Sequence, residues 1–290
     1  MIAYDELKAH KFAPVVQSYT ARDCRLYALG LNIGANPLDA DALRYVAADP
    51  PAVVCTMPMT LARPGAWMRD AKLGIDYRRV VVGEVTLRLR APLPAEATVR
   101  GEHRIVRVTD KGEGRGALVT VERQLTDTAT GRLLAEYEQV TFCRGDGGFA
   151  TDGRHDAPPE APPWEVPEPA ADWTVDLPTA PQQALIFRLS GDMNPLHSDP
   201  EVARRAGFDR PILHGLSTMG MVGHALDRMS FAAGGAPLHG LTARLAAPVF
   251  PGEQLRLEVW RDGNNALFRT INGDGREVVA QGRAEFQKMD

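Results

Sequence analysis

From Val80 to Phe142 apolar and polar residues alternate with a period of two. VVVGEVTLRLR over Val80 to Arg90, Thr98 to Val108, Ala117 to Leu125 and Leu133 to Phe142 each read as a half-buried strand. Ala91-Pro92-Leu93-Pro94 breaks the first and Lys111-Gly112-Glu113-Gly114 turns the chain between the second and third, so the pattern predicts an antiparallel meander. Upstream, Thr20 can cap a helix whose apolar face is Leu26-Tyr27-Ala28-Leu29, with Asp23 completing a capping box and Gly30 ending it. The alternation returns near the end of the chain, around Ala243 to Ala246, Gln254 to Asp262, Asn265 to Asn272 and Glu277 to Gln287, with turns at Pro251-Gly252, Gly263-Asn264 and Gly273-Asp274-Gly275. Before it, Leu216 to Met229 is a run of small and apolar residues, which predicts a buried helix with Gly220, Gly223 and Ala225 as close contacts.

Gly145 to Pro181 interrupts both patterns. RGDGGFATDGRHDAPPEAPPWEVPEPAAD is too rich in Pro, Gly and acid to build a core and reads as an exposed linker, pinned to its surroundings by Trp164 and Trp173. The expected division is 1–145, 146–181 (linker) and 182–290. The two flanks echo each other. Asn36-Pro37 and Asn194-Pro195 are offset by 158 residues, Ala91-Pro92 and Ala247-Pro248 by 156. Two echoes nearly in register predict a duplicated unit, one helix followed by an antiparallel sheet, in an α+β chain whose two sheets join into one. In the first copy only Asp39 stands where the second has chemistry, in the slot of His197.

Composition narrows the classes. The chain has 290 residues, 44% hydrophobic and 24% charged, an ordinary globular balance. A net charge of -4 and a pI near 6.0 argue against nucleic acid or an anionic membrane as partner. Cys24, Cys55 and Cys143 are odd in number and far apart, which fits neither a disulfide framework nor a zinc site. No stretch is long and apolar enough for a membrane span, and the polar start MIAYDELKAHKF lacks a signal peptide's apolar core, so a cytoplasmic location is expected. GEGRG joins two strands instead of opening a helix, so it predicts no dinucleotide site.

The chemistry concentrates between Ile186 and Gly220. Asp192-Met193-Asn194-Pro195-Leu196-His197 sets a carboxylate, an amide and an imidazole around a turn-forming Asn-Pro. Asp192 and His197 together can position and activate a water. Taken alone, each reads better as an Asx turn and a hydrogen-bonded turn histidine. The helix led by Gly215 adds free N–H groups suited to a developing oxyanion, which favours the functional reading. His214 reads as structural, Ser217 lacks the spacing of a nucleophile elbow, and Arg204 and Arg205 read as a solvated helix face. His10, His103, His155, His224 and His239 share no metal-ligand spacing, and no metal is expected.

LSGDMNPLHSDP followed by AGFDRPILHGLSTMG resembles the hydratase motif of the MaoC-like, R-specific 2-enoyl-CoA hydratases (enoyl-CoA hydratase 2). The similarity extends to YTARDCRLYALGLNIG, GEVTLRLRAPLP, TDKGEG and ARLAAPVFPGEQLRLEVW. The resemblance implies a double hot-dog fold, a sheet wrapped around one long helix, present twice. It implies reversible hydration of a trans-2-enoyl-CoA to a (3R)-3-hydroxyacyl-CoA, with Asp192 and His197 handling the water, Asn194 orienting them and the Gly215 amide meeting the thioester oxygen. It further implies substrate contacts at Met193, Pro195, Leu196, Gly83, Lys111 and Leu245, no cofactor beyond the CoA of the substrate, and a homodimer. Val82 departs from the family, which commonly has His-Gly-Glu where this chain has Val82-Gly83-Glu84. That puts a polar contact at Val82 in doubt. The rival readings are a hot-dog acyl-CoA thioesterase and a non-catalytic acyl-CoA-binding protein.

Overall fold

The structure, a computed structural model, describes residues 1–158 and 164–287. Ten strands form one antiparallel sheet: β1 (Val15–Tyr19), β2 (Val80–Leu89), β3 (Ala97–Asp110), β4 (Ala117–Asp127), β5 (Leu133–Cys143), β6 (Trp173–Pro178), β7 (Leu238–Leu245), β8 (Gln254–Asp262), β9 (Asn265–Asn272) and β10 (Glu277–Phe286). Their order across the sheet is β1-β3-β4-β5-β2-β7-β10-β9-β8-β6. Read outward from the centre, each side repeats the other strand for strand. β2 pairs with β7 at the seam, and Thr86 faces Thr242, the same 156-residue offset found between the Ala-Pro pairs. Their hydroxyls lie 3.1 Å apart, while Leu87 and Leu241 meet on the buried face.

The helices are α1 (Tyr4–Ala9), α2 (Ala21–Leu29), α3 (Ala40–Val46), α4 (Gln183–Phe187), α5 (Pro200–Arg205) and α6 (Gly215–Ala232). α2 starts with the capping box expected of Thr20 and Asp23 and stops at Gly30. α6 is buried from Leu216 to Leu226, with no ionisable side chain in that stretch except His224. It can lie this deep because two glycines remove side chains where neighbours press in. A Cβ on Gly220 would stand 2.5 Å from Leu31 Cδ2, and one on Gly223 would stand 2.4 Å from Thr56 Cγ2 and 3.1 Å from Leu241 Cδ2. Tyr27 of α2, fully buried, donates its hydroxyl to Thr56 Oγ1 at 3.0 Å, and Thr56 Oγ1 donates in turn to the Gly220 carbonyl at 3.4 Å, which ties the first half to this helix.

Two expectations need correction. A long central helix was expected in both halves, but α6 has no counterpart in the first half among the described residues. There the chain between α3 and β2 forms only three-residue 3-10 turns, at Met57–Met59, Trp67–Arg69, Ala71–Leu73 and Tyr77–Arg79. Pro50, Pro51, Pro58 and Pro64, with Gly65 and Gly74 in the left-handed region, break any longer helix. The stretch expected to be an exposed linker is also partly structural. Trp173–Pro178 forms the edge strand β6 on β8, because TVDL alternates and an edge tolerates the closing proline. Before it, Asp156 accepts from Val108 N, Tyr4 Oη and Lys8 Nζ, so this part is sewn to the first half. Trp164 packs edge-on to Trp260 and exchanges two hydrogen bonds with Gln281, and Arg261 lies over Trp173, so both tryptophans anchor the segment. Residues 159–163 of this stretch lie outside the described residues.

Candidate active site

α4 runs into a 3-10 turn, Arg188–Ser190, that Gly191 closes at φ 109°, a left-handed conformation suited to glycine. The reversal delivers Asp192. Two residues on, Asn194 caps a second 3-10 turn, Pro195–His197, with its side-chain oxygen accepting from Leu196 N at 3.1 Å. His197 is thereby turned inward, 9% exposed, and donates Nδ1–H to the Ile212 carbonyl at 2.9 Å. A carbonyl only accepts, so the proton sits on Nδ1 and the Nε2 lone pair is left free. The segment bearing Ile212 leads to His214, the residue before α6. Its Nε2 donates to the Asp192 carbonyl at 3.1 Å, and its ring stacks on His197 with centroids 3.7 Å apart.

One side-chain ligand atom from each of Asp192, His197 and His214 lies within 4.8 Å of the others. Asp192 keeps 21% of its side chain exposed, so water reaches the carboxylate. Burial pushes its acidity weaker, but the positive charge of Arg63, with Nη1 at 2.9 Å, holds the carboxyl below its ordinary range. Burial also holds His197 below the ordinary imidazole range, and burial beside His197 takes His214 down to about 3. Both rings are therefore neutral near pH 7. The site presents a charged carboxylate, an unprotonated imidazole nitrogen and the first-turn N–H groups of α6. This trio is also the one group among the described residues with the donor atoms for a metal, and Arg63 already supplies a positive charge to its carboxylate.

The remaining expected residues fall into place unequally. Gly215 is the first residue of α6, and Leu245 packs on it so closely that a Cβ there would stand 2.4 Å from Leu245 Cδ1. Met193 is 56% exposed, Pro195 is exposed and Leu196 half-buried beside the turn. The Asn194 side-chain oxygen is committed to Leu196 N. Its backbone N–H donates to Asp192 Oδ1 at 3.3 Å, which fixes the carboxylate relative to the turn. Val82 is half-buried against the main core, and Gly83 lies at a bulge where β2 slips one residue on β5. Lys111 extends over the Phe142 ring, 4.8 Å from its centroid. Phe142 follows Thr141 on β5 and so faces the opposite side of the sheet from Tyr137, Gln139 and Thr141.

Arg63 escaped the sequence reading. Its one signal is a lone charge closing the uncharged stretch Val53 to Ala62, ahead of Pro64-Gly65. Elsewhere a cleft of about 910 Å³ opens between the end of α2, α3, β6 and the last turns of α6, bordered by Tyr45, His224 and Arg228 and by neither Asp192 nor His197.

Comparison with known proteins follows this geometry. Residues 17–145 match the MFE-2 hydratase 2 N-terminal domain and residues 164–282 match the MaoC like domain. The chain is 38% identical to enoyl-CoA hydratase ChsH3 of Mycobacterium tuberculosis over 89% of each chain, and 30% identical to the peroxisomal enoyl-CoA hydratase 2 of Arabidopsis thaliana over 98% of this chain and 96% of that one. The crystal structure of a MaoC-like dehydratase from Phytophthora capsici superposes with a TM-score of 0.83 at 25% identity, covering 99% of both chains. A Mycobacterium tuberculosis protein described as a double hotdog fold superposes at 0.56 with 18% identity over 98% of each, which bears on the fold alone. With its two halves, its continuous sheet and its Asp-His turn beside a glycine-led helix, the chain belongs to the MaoC-like family of hydratases and dehydratases, in the enoyl-CoA hydratase 2 branch.

Proposed function

We propose that this protein reversibly hydrates trans-2-enoyl-CoA to (3R)-3-hydroxyacyl-CoA, acting through Asp192 and His197. The observation that supports it best is the unprotonated Nε2 of His197, whose other nitrogen is fixed by Ile212, beside an ionised carboxylate that solvent reaches. Hydration of a conjugated thioester needs a base for water, an acid for Cα and charge stabilisation at the thioester oxygen. A water held by the Asp192 carboxylate attacks Cβ as His197 Nε2 takes its proton. Negative charge moves to the thioester oxygen, where the Gly215 N–H and the end of α6 receive it. The imidazolium, stabilised by Asp192, then returns the proton to Cα. The sum adds H and OH across the double bond and calls for no cofactor beyond the CoA that the substrate carries.

The (3R) outcome and the acyl-CoA substrate are proposed, supported by relatives named as enoyl-CoA hydratases. Met193, Pro195, Leu196, Gly83 and Leu245 are proposed to border the thioester and its arm, and Lys111 to meet a phosphate of CoA on the far side of the sheet. We further propose a homodimer and a cytoplasmic location; no described helix is long and apolar enough to cross a membrane. Crotonyl-CoA tests the reaction. Loss of enoyl absorbance without free thiol, with a chiral (3R) product, is the expected result. Release of free thiol would mark a thioesterase, and no change at all would mark a binding protein.

A further inference from the structure

On the buried face of the first half, the strand register sets His103 of β3, Arg123 of β4 and Tyr137 of β5 side by side. Gln139 and Thr141 continue that face along β5. The Tyr137 hydroxyl donates to Gln139 Oε1 at 3.1 Å, and Gln139 Nε2 donates to Thr141 Oγ1 at 3.2 Å. Arg123 is only 3% exposed. Its guanidinium lies 4.8 Å from the Tyr137 ring centre and donates Nη2–H to the Pro58 carbonyl at 2.5 Å. Its Nε has no partner, and no carboxylate among the described residues forms an ion pair with it. Burial, with Arg63 adding to it, takes even this guanidinium down to about 10.

A second guanidinium enters from the segment that replaces the missing helix. Ala62, held at φ 47° by an N–H bond to Gln17 Oε1, turns the chain so that Arg63 reaches Asp192 with 29% of its side chain exposed. A bulky neighbour cannot relax the kink, since Gly101 backs onto the Ala62 carbonyl where a Cβ would stand 2.7 Å away. The charges do not cancel. Arg63 and Arg123 are positive, Asp192 is negative, and His103, His197 and His214 are neutral, with burial holding His103 at about 4. Arg63 and Asp192 offset each other where solvent still reaches, and the positive charge in excess is that of Arg123, only 3% exposed, an arrangement that is costly unless an anion arrives. A thioester and its double bond bring none there. The phosphates of CoA lie beyond the whole pantetheine arm and cannot stand beside the carboxylate that handles the water. The anion must then be on the acyl group.

We propose that Arg63, backed by Arg123, is the specificity-determining residue of the hydration proposed above, and that the acyl group it selects carries a carboxylate beyond the double bond, as in CoA monothioesters of unsaturated dicarboxylic acids. The inference rests on the hydratase reading. Arg63 is the partly exposed member of the pair and can bridge Asp192 and an arriving carboxylate, while Arg123 supplies a fixed charge behind it. Drawing Arg63 toward the substrate also loosens its hold on Asp192, so binding of the right acyl group makes that carboxylate a better acceptor for the water.

The test compares substrates of equal length with the full chain: trans-2-hexenoyl-CoA against the CoA monothioester of trans-2-hexenedioic acid, and the same pair two carbons longer, followed by loss of enoyl absorbance. The expected kcat/KM is about tenfold or more higher for the carboxylated member of at least one pair, the worth of one charge-assisted hydrogen bond. Arg63→Gln should abolish that preference, Arg63→Lys restore part of it and Arg123→Met reduce it. As a measurement independent of any variant, the saturated CoA monothioester of hexanedioic acid should inhibit the unaltered enzyme more strongly than hexanoyl-CoA. A preference at or below one at both lengths, or an equal loss on both substrates in Arg63→Gln, overturns the proposal; the latter result makes Arg63 a positioning residue for Asp192 alone. Failure to hydrate any of the four overturns the hydratase reading itself and carries this one with it.

Discussion

Lowering the pH from 7 to 5 offers protons to four imidazoles that burial keeps neutral, and for three of them the size of the effect can be worked out. Burial takes His103 to about 4, His214 to about 3 and His224 to about 4, each from an ordinary value of 6.5. All three are depressed in the folded state, so the stability they allow is complete above pH 6.5 and is lost as pH falls toward 4. At pH 5 each unfolded imidazole gains about 2 kcal/mol from its proton and each folded one almost nothing, giving a loss near 6 kcal/mol. Glu84, Asp146 and Asp227 work in the opposite direction, since burial pushes their carboxyls up and acid relieves that cost. The net loss is therefore smaller than the sum, yet still large beside a total stability of about 5–15 kcal/mol. Urea unfolding followed by tryptophan fluorescence at pH 7, 6 and 5 measures it. His224→Gln, which replaces a ring packed edge-on against Tyr45, should remove about one third of the loss summed over these three. Equal urea stability at pH 7 and 5, or an undiminished acid loss in His224→Gln, would refute the reasoning.

Asp192→Asn and His197→Gln should each lower kcat for crotonyl-CoA by about 10²–10⁴, and the double variant should be little worse than either, as for groups acting on one water. Unchanged thermal melting would separate this from unfolding. Tyr27→Phe removes the 3.0 Å bond to Thr56 and should cost about 1 kcal/mol in urea unfolding, with Thr56 keeping its contact to the Gly220 carbonyl. Thr20→Ala removes the hydroxyl half of the α2 capping box and should cost about 1 kcal/mol by the same measurement.

Much of this architecture was written in local pattern. Strands β8 and β9 begin and end at the residues where alternation starts and stops, because each has one face on the core and turns with glycine at both margins. The duplication was legible from two short echoes, since antiparallel halves that pair at their equivalent strands keep a nearly constant offset. The missing helix was not inferred, although its prolines were in plain view, because the repeat argued by symmetry for what the backbone could not form. In the site, the turn carrying Asp192 and His197 is contiguous in sequence and could be read directly. Arg63 could not, since it meets Asp192, 129 positions further along the chain, only through folding. Lys111 illustrates the same limit: TDKGEG reveals a turn but not which side of the sheet its lysine covers.

Among the described residues the first half has no long helix, so an irregular loop covers its interior instead. Through that loop the first half still touches the reactive turn, since the Pro58 carbonyl holds Arg123 while Arg63 grips Asp192, and a change there is felt on both sides of the seam.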